Sequence, residues 1–106
     1  MNKKNEYKAI RTKEGCVVTV NGEPLDPRLD LYNHSPDGFE WGYIGSGPAQ
    51  LALAILAYEL QDDHKVMTLY QDFKHKTLAN FQADTWMMDS TMISAILEVM
   101  RNRAVA

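Results

Sequence analysis

A glycine-rich segment that leads directly into an apolar helix constrains this chain more than any other feature. The segment runs from Trp41 to Leu56 and has three glycines and a proline in its first eight positions. Proline is tolerated at the first position of a helix because its missing N–H would have no intrahelical partner. We therefore expect a tight loop, capped by Ser46 or Gly47, and a helix that begins at Pro48 with free backbone N–H groups at the junction.

The predicted helix from Pro48 to Leu60 is apolar on nearly every face. Since a helix without a polar stripe is typical of a protein interior, we place it at the centre of the fold. A second helix, capped by Asp62 or Asp63, is predicted to run to about Phe81, because its apolar residues recur at three- and four-residue intervals.

A third predicted helix follows a break that runs from Asp84 to Met88 and carries Trp86. Either Asp89 or Ser90 is a suitable N-cap for this helix. Its apolar residues again recur at helical spacing, and they are Met92, Ile93, Ile96, Leu97 and Met100.

The N-terminal part of the chain has the pattern of short strands. Residues Glu6 to Arg11 and Cys16 to Val20 are two predicted strands, and the second is rich in β-branched residues. Asn21-Gly22 predicts a tight turn, since both residues tolerate positive φ. A third extended segment begins after it at Glu23-Pro24-Leu25.

The strands are separated from the helices by a loop and an aromatic segment. The loop covers Asp26 to Gly38 and is rich in proline, aspartate and asparagine. Phe39, Trp41 and Tyr43 then alternate with other residues, which predicts a short extended piece with its rings on one side. These elements together predict a single α+β domain over residues 1–106, with an N-terminal antiparallel β-meander packed on three C-terminal helices.

Composition and charge argue against several classes of partner. The formal net charge is −3, so no overall positive field attracts nucleic acid. The longest apolar run, from Ala52 to Tyr58, is too short to cross a membrane. The single cysteine, Cys16, excludes an internal disulfide and suits a reducing compartment. We therefore expect a cytoplasmic protein that binds neither nucleic acid nor membrane.

Residue types suited to catalysis or metal binding are dispersed along the chain. Cys16 lies in a β-branched run, where a thiol usually acts as a small buried hydrophobe. None of the three histidines forms a local signature with it. Asp62, Asp63 and His64 are adjacent, so their side chains point in different directions, and helix capping explains them. We expect no catalytic residue, no metal site and no cofactor.

The glycine-rich segment has two interpretations. It lacks the Gly-Lys-Ser/Thr of a P-loop and the spacing of a dinucleotide-binding loop, which favours a purely architectural turn. The alternative is a site for a small anion, such as a phosphate or nucleotide, at the start of the helix. Its residues would be Gly45, Ser46, Gly47 and Gln50, with Trp41 and Tyr43 as a stacking wall.

A second candidate site lies in the C-terminal half, where most of the methionines occur near Trp86. Methionine fills irregular cores and also forms adaptable partner surfaces. Met87 and Met88 cannot both be buried, because neighbouring residues of an extended segment point to opposite sides. We predict a protein-binding surface at Trp86, Met87 and Met88, with core packing as the alternative.

Much of the chain resembles a known family. The segment from Ser35 to Ala54, which contains W-G-Y-x-G-S-G-P-A-Q-L-A-L-A, resembles the core of a family of small uncharacterised bacterial and phage proteins, known only as a domain of unknown function. Tyr70-x-x-Phe73-Lys74, followed by Trp86, is similar to that family's second half. The resemblance implies an accessory protein of phages or mobile elements and assigns no catalytic residue. We expect a non-enzymatic module that binds a host protein, or alternatively a small-ligand binder.

Overall fold

The computed structural model describes residues 4–105, and the side chains of residues 4–102. The strands are Glu6–Thr12 (β1), Gly15–Val20 (β2), Glu23–Pro24 (β3) and Thr85–Asp89 (β4). The helices are Ser46–Leu60 (α1), Asp63–Lys76 (α2) and Ser90–Val105 (α3), and a short 3-10 helix covers Leu78–Asn80. The predicted α+β fold class is confirmed.

The strands form one antiparallel sheet in the order β3-β2-β1-β4. The turn between β2 and β3 has positive φ at Asn21 (52°) and Gly22 (86°), as the sequence predicts. Strand β3 is only two residues long and contains Pro24, so it ends the sheet at that edge.

Strand β4 corrects the prediction of a break between the second and third helices. It pairs antiparallel with β1, with Met87 opposite Lys8. The N-terminal strands are therefore joined by a strand from the C-terminal half of the chain. This pairing is not visible in local sequence patterns, because it joins segments that are far apart along the chain.

The aromatic segment before the glycine loop is not a strand, and its rings do not share one side. Trp41 is 1% exposed, whereas Tyr43 is 47% exposed. Gly42 lies between them with a φ of +93°, which turns the chain and breaks the alternation expected of extended backbone.

The helices depart from the predicted boundaries at two ends. Helix α1 begins at Ser46 rather than at Pro48. Helix α2 ends at Lys76 rather than near Phe81, because Thr77 leaves the helical conformation with φ −131° and ψ −84°.

The predicted aspartate caps are present at the starts of α2 and α3. A carboxylate oxygen of Asp62 accepts a hydrogen bond from the backbone N–H of Lys65 at 3.1 Å. Asp89 accepts one from the N–H of Met92 at 2.9 Å. Both bonds satisfy backbone donors that lack an intrahelical partner.

Helix α1 lies at the centre of the core, as predicted. Its residues are buried without interruption from Gly47 to Ala57. They form one cluster with the inward-facing residues of the sheet, which are Tyr7, Ala9, Val18, Val20 and Met88. The Tyr7 hydroxyl also donates to Glu59 Oε1 at 2.8 Å, which ties β1 to α1. The helices therefore cover one face of the sheet, and the other face is open to solvent.

Candidate functional site

The glycine loop passes close to the 3-10 helix. The N–H of Gly42 donates to the carbonyl of Leu78 at 2.8 Å. A Cβ at Gly42 would lie 2.9 Å from the carbonyl oxygen of Phe81. Together with the positive φ, this close approach requires glycine and supports an architectural role for this position.

Gly45 and Gly47 are packing positions at the start of α1. The ring of Tyr43 occupies the space that a Cβ at Gly45 would need. A Cβ at Gly47 would lie 2.6 Å from the Cβ of Glu40. Gly45 is also the N-cap of α1, and none of the side chains of residues 4–102 caps this helix. The predicted loop thus combines close packing with a helix start that lacks a side-chain acceptor.

A pocket of about 320 Å³ opens beside this helix start. Three residues of the predicted ligand set line it, namely Tyr43, Ser46 and Gly47. Three carboxylates line the same pocket, those of Glu14, Asp37 and Glu40. Because like charges repel, this acidic lining opposes a phosphate at the helix start.

Gln50, another residue of the predicted ligand set, is completely buried and bonded within the protein. Its Oε1 accepts from the N–H groups of His34 (2.7 Å) and Ser35 (3.1 Å). Its Nε2 donates to the carbonyls of Pro27 (2.6 Å) and Tyr32 (3.0 Å). Gln50 therefore anchors the 27–35 loop against α1, and its amide groups are directed away from the pocket.

Trp41, the predicted stacking residue, is also turned into the interior. Its indole N–H donates to the carbonyl of Ala83 at 2.8 Å. The guanidinium of Arg11 lies 4.7 Å from the centroid of its ring, which is a cation–π contact. The structure thus separates Trp41 from Tyr43, Ser46 and Gly47.

The same guanidinium sets the electrostatics beside the pocket. Arg11 donates to Glu40 Oε1 at 2.6 Å, and this hydrogen bond holds the pKa of Glu40 below its usual range. Burial, followed by the nearby Glu40 carboxylate, raises the pKa of the half-buried Cys16 thiol. A raised pKa favours the thiol over the more nucleophilic thiolate.

The three predicted partner-binding residues alternate along β4. Trp86 is half-buried, Met87 is 61% exposed and Met88 is 2% exposed. The prediction that Met87 and Met88 are not both buried is confirmed. Trp86 packs edge-on against Trp41 and Phe81, with ring centroids 5.5 and 5.3 Å apart. Of the three residues, Met87 is the one whose side chain faces solvent.

Strand β4 is an edge strand with outward-facing backbone groups. The N–H of Arg11 donates to the carbonyl of Asp84, so these two residues form a hydrogen-bonded pair. This pair shows which residues of β4 are bonded to β1 in the antiparallel register that follows. Because bonded and non-bonded pairs alternate in an antiparallel ladder, the N–H and C=O groups of Thr85 and Met87, and the N–H of Asp89, point away from β1. The C=O of Asp89, the N-cap of α3, accepts the first bond of that helix. Within residues 4–105 no strand pairs with this edge.

Three exposed apolar side chains lie together on the open face of the sheet. Ile10 is 47% exposed, Val17 50% and Met87 61%. Ile10 is directly opposite Val17, and Met87 is opposite Lys8, two residues before Ile10. We call Ile10, Val17 and Met87 the open-face patch. It is continuous with the outward edge of β4.

A groove of about 720 Å³ between α2 and α3 was not predicted. Its apolar lining consists of Leu60, Leu69, Leu97 and Met100, with charged residues at the rim. Helical spacing identifies Leu69, Leu97 and Met100 as inward-facing. Spacing does not reveal that the two helices diverge enough to leave a groove.

A cluster around His34 was also not predicted. His34 Nε2 lies 2.7 Å from the Tyr70 hydroxyl oxygen. The ring of Tyr32 stacks on the imidazole, with centroids 4.2 Å apart. This cluster joins the 27–35 loop to α2, a contact between distant segments that no local motif signals.

The described part of the chain has neither a cluster of metal ligands nor a membrane-spanning helix. Nowhere in 4–102 do three or more His, Cys, Asp or Glu side chains group so as to hold a metal ion. None of the helices described is both long enough and apolar enough to span a membrane.

Comparison with known proteins identifies the family but not an activity. No curated protein and no solved structure matches this chain. The model of DUF6166, a family of unknown function, matches residues 7–99, which include all of the sheet except the first residue of β1, the helices α1 and α2, and the larger part of α3. The chain therefore belongs to DUF6166, a family of unknown function.

Proposed function

We propose that this chain is a non-enzymatic binding module that recognises a protein partner through β4. The observation that carries the proposal is the outer edge of β4, with which no strand of residues 4–105 pairs and which is continuous with the open-face patch of Ile10, Val17 and Met87. Such a role suits a cytoplasmic accessory protein of a phage or mobile element that acts on a host protein. The free thiol of Cys16 is compatible with that compartment.

An extended segment of the partner would pair with the outward N–H and C=O groups of β4. In this mode of recognition, main-chain hydrogen bonds supply affinity and alternate side chains supply specificity. Exposed edges are commonly protected by lysine, by proline or by a short strand. β3 has two of these protections, since it is two residues long and contains Pro24, whereas β4 has five residues and neither lysine nor proline.

The test compares two exposed methionines. Met87→Lys places a charge at the β4 edge, and Met67→Lys places the same charge on α2, where Met67 is 39% exposed. Each variant is immobilised and exposed to extract from the host cells. We expect the wild type and Met67→Lys to retain the same specific protein and Met87→Lys to lose it.

A backbone variant separates strand pairing from apolar contact. Thr85→Pro removes one outward N–H at the first residue of β4, a position where proline is compatible with a strand. It should weaken capture while leaving the open-face patch intact. Retention of the partner by Met87→Lys, or no specific partner for the wild type, would contradict the proposal. Met88→Ala is not informative, because removing a buried methionine side chain costs about 2–5 kcal/mol of stability.

A second candidate function is the binding of a small anion at the start of α1, which would have to overcome repulsion from the carboxylates of Glu14, Asp37 and Glu40 in the same pocket. The supporting observation is that Ser46 and Gly47 line the pocket at a helix start that no described side chain caps. Saturating phosphate or nucleotide, at about 100 times its dissociation constant, should stabilise the fold by roughly 2.7 kcal/mol. Ser46→Asp should abolish the thermal shift by placing a carboxylate there, and Ser94→Asp on α3 is the control. An unchanged shift in Ser46→Asp would reject this site.

A further inference from the structure

Lys74 has an unusual environment among the described residues. It is 6% exposed and is the only charged side chain within residues 4–102 that is buried. No carboxylate described in this structure lies within ion-pair distance of its Nζ, and no hydrogen bond from Nζ is formed within that part of the chain. An ammonium without an ionic partner remains available to pair with an anion from solution.

The ammonium of Lys74 is nevertheless reachable. Among the described side chains, one polar atom is completely shielded from solvent and has no hydrogen-bond partner, and that atom is Trp86 Nε1, not Lys74 Nζ. Since Lys74 Nζ also has no partner, it must retain contact with solvent. The aliphatic stem is buried, and the charged end reaches the surface.

Two further polar groups lie beside this lysine. Tyr70 precedes Lys74 by four residues, so both lie on the same face of α2. The Tyr70 oxygen is 2.7 Å from His34 Nε2. Burial, and then the positive charge of Lys74, lower the pKa of His34, which agrees with the closeness of the two side chains.

The His34–Tyr70 pair retains a free donor in either tautomer. If Tyr70 donates to Nε2, the neutral imidazole carries its hydrogen on Nδ1, and that N–H is free. If Nε2–H donates to the Tyr70 oxygen, which also accepts from Gln71 Nε2 at 3.3 Å, the tyrosine hydroxyl hydrogen is left as the donor instead. The pair therefore offers one neutral donor in addition to the ammonium of Lys74.

We propose that Lys74, His34 and Tyr70 form a binding site for a small oxyanion, a phosphate or carboxylate group. Lys74 supplies the charge, and the His34–Tyr70 pair supplies a neutral hydrogen bond. This site is separate from the α1 helix start and independent of β4, so it stands whether or not the protein-partner proposal holds.

The test is a titration followed by NMR of the histidine ring protons. The chain has three histidines, so the exposed His64 and His75 serve as internal controls. Sodium phosphate is added in one arm and sodium acetate in the other, at fixed pH and with ionic strength matched by sodium chloride. We expect a saturable shift of the His34 signals alone. The stronger-binding arm identifies the preferred oxyanion.

Variants of two lysines on α2 test the charge. Lys74→Met keeps the buried stem and removes the ammonium, and Lys65→Met does the same at an exposed position. We expect Lys74→Met to weaken binding about tenfold, because a charge-assisted hydrogen bond is lost, and Lys65→Met to leave it unchanged. In Lys74→Met the pKa of His34 should also rise.

The proposal is overturned if neither anion shifts His34 in the wild type, or if Lys74→Met binds as tightly as the wild type. The wild-type titration does not depend on any variant folding. Lys74→Gln replaces Lys74→Met if the latter is unfolded by circular dichroism.

Discussion

Replacing Gln50 with methionine should show how the 27–35 loop is held on the protein. Gln50 is completely buried and makes four hydrogen bonds to that loop, of 2.7, 3.1, 2.6 and 3.0 Å. Methionine has a similar length and volume but forms none of these bonds. At about 1 kcal/mol net for each bond, we expect Gln50→Met to lower the free energy of unfolding by about 4 kcal/mol. That loss is a large fraction of the 5–15 kcal/mol typical of a domain, about the range expected here.

Urea unfolding followed by circular dichroism measures this change, with Gln82→Met as the matched control. Gln82 is exposed, so its replacement should change the free energy by less than about 0.5 kcal/mol. In thermal unfolding, Gln50→Met should lower Tm by roughly 15–20 °C. A loss below about 1 kcal/mol would refute the reasoning, because it would mean that water satisfies the four loop groups equally well.

Three further predictions concern packing and pH. Gly47→Ala should lower the free energy of unfolding by about 2 kcal/mol, because the new Cβ would lie 2.6 Å from the Cβ of Glu40. Urea unfolding measures this change, and an unchanged unfolding midpoint would contradict the packing role of Gly47. Burial and a hydrogen bond to Glu59 raise the pKa of Tyr7 well above its ordinary value of about 10. The contribution of Tyr7 to stability should therefore be fully present below about pH 10 and be lost above it. Tyr7→Phe should remove this alkaline loss in urea titrations at several pH values. The hydrogen bond from Arg11 lowers the pKa of Glu40, so the contribution of this pair to stability is present above the ordinary glutamate pKa of about 4.3 and is lost as the pH falls. Arg11→Met should therefore make stability less dependent on pH in the acid range. An acid dependence identical to that of the wild type would argue against the pair.

Several elements could be predicted from the sequence because their causes are local. The Asn21-Gly22 turn depends on two residues that tolerate positive φ, and both adopt it. The Asp62 and Asp89 caps depend on a side chain reaching a backbone N–H three residues away. The central position of α1 follows from a sequence with no polar stripe.

The candidate sites were predicted less completely, because burial and direction depend on distant neighbours. Ser46, Gly47 and Tyr43 do line one pocket, but Gln50 is turned to the 27–35 loop by partners up to 23 residues away. In the same way, the choice between an exposed Met87 and a buried Met88 required the register of β4 against β1.

The sequence by itself determined the fold class, the order of the main elements and the family, since each depends on local patterns or on a long continuous motif. Only the tertiary structure decided that residues 85–89 form a strand, because their hydrogen-bond partners lie in β1 at the other end of the chain. It also decided that the stem of Lys74 is buried near His34 and that its ammonium has no ionic partner among residues 4–102. The spacing of residues on one helix sets which side chains share a face, but the elements packed against that face set their environment.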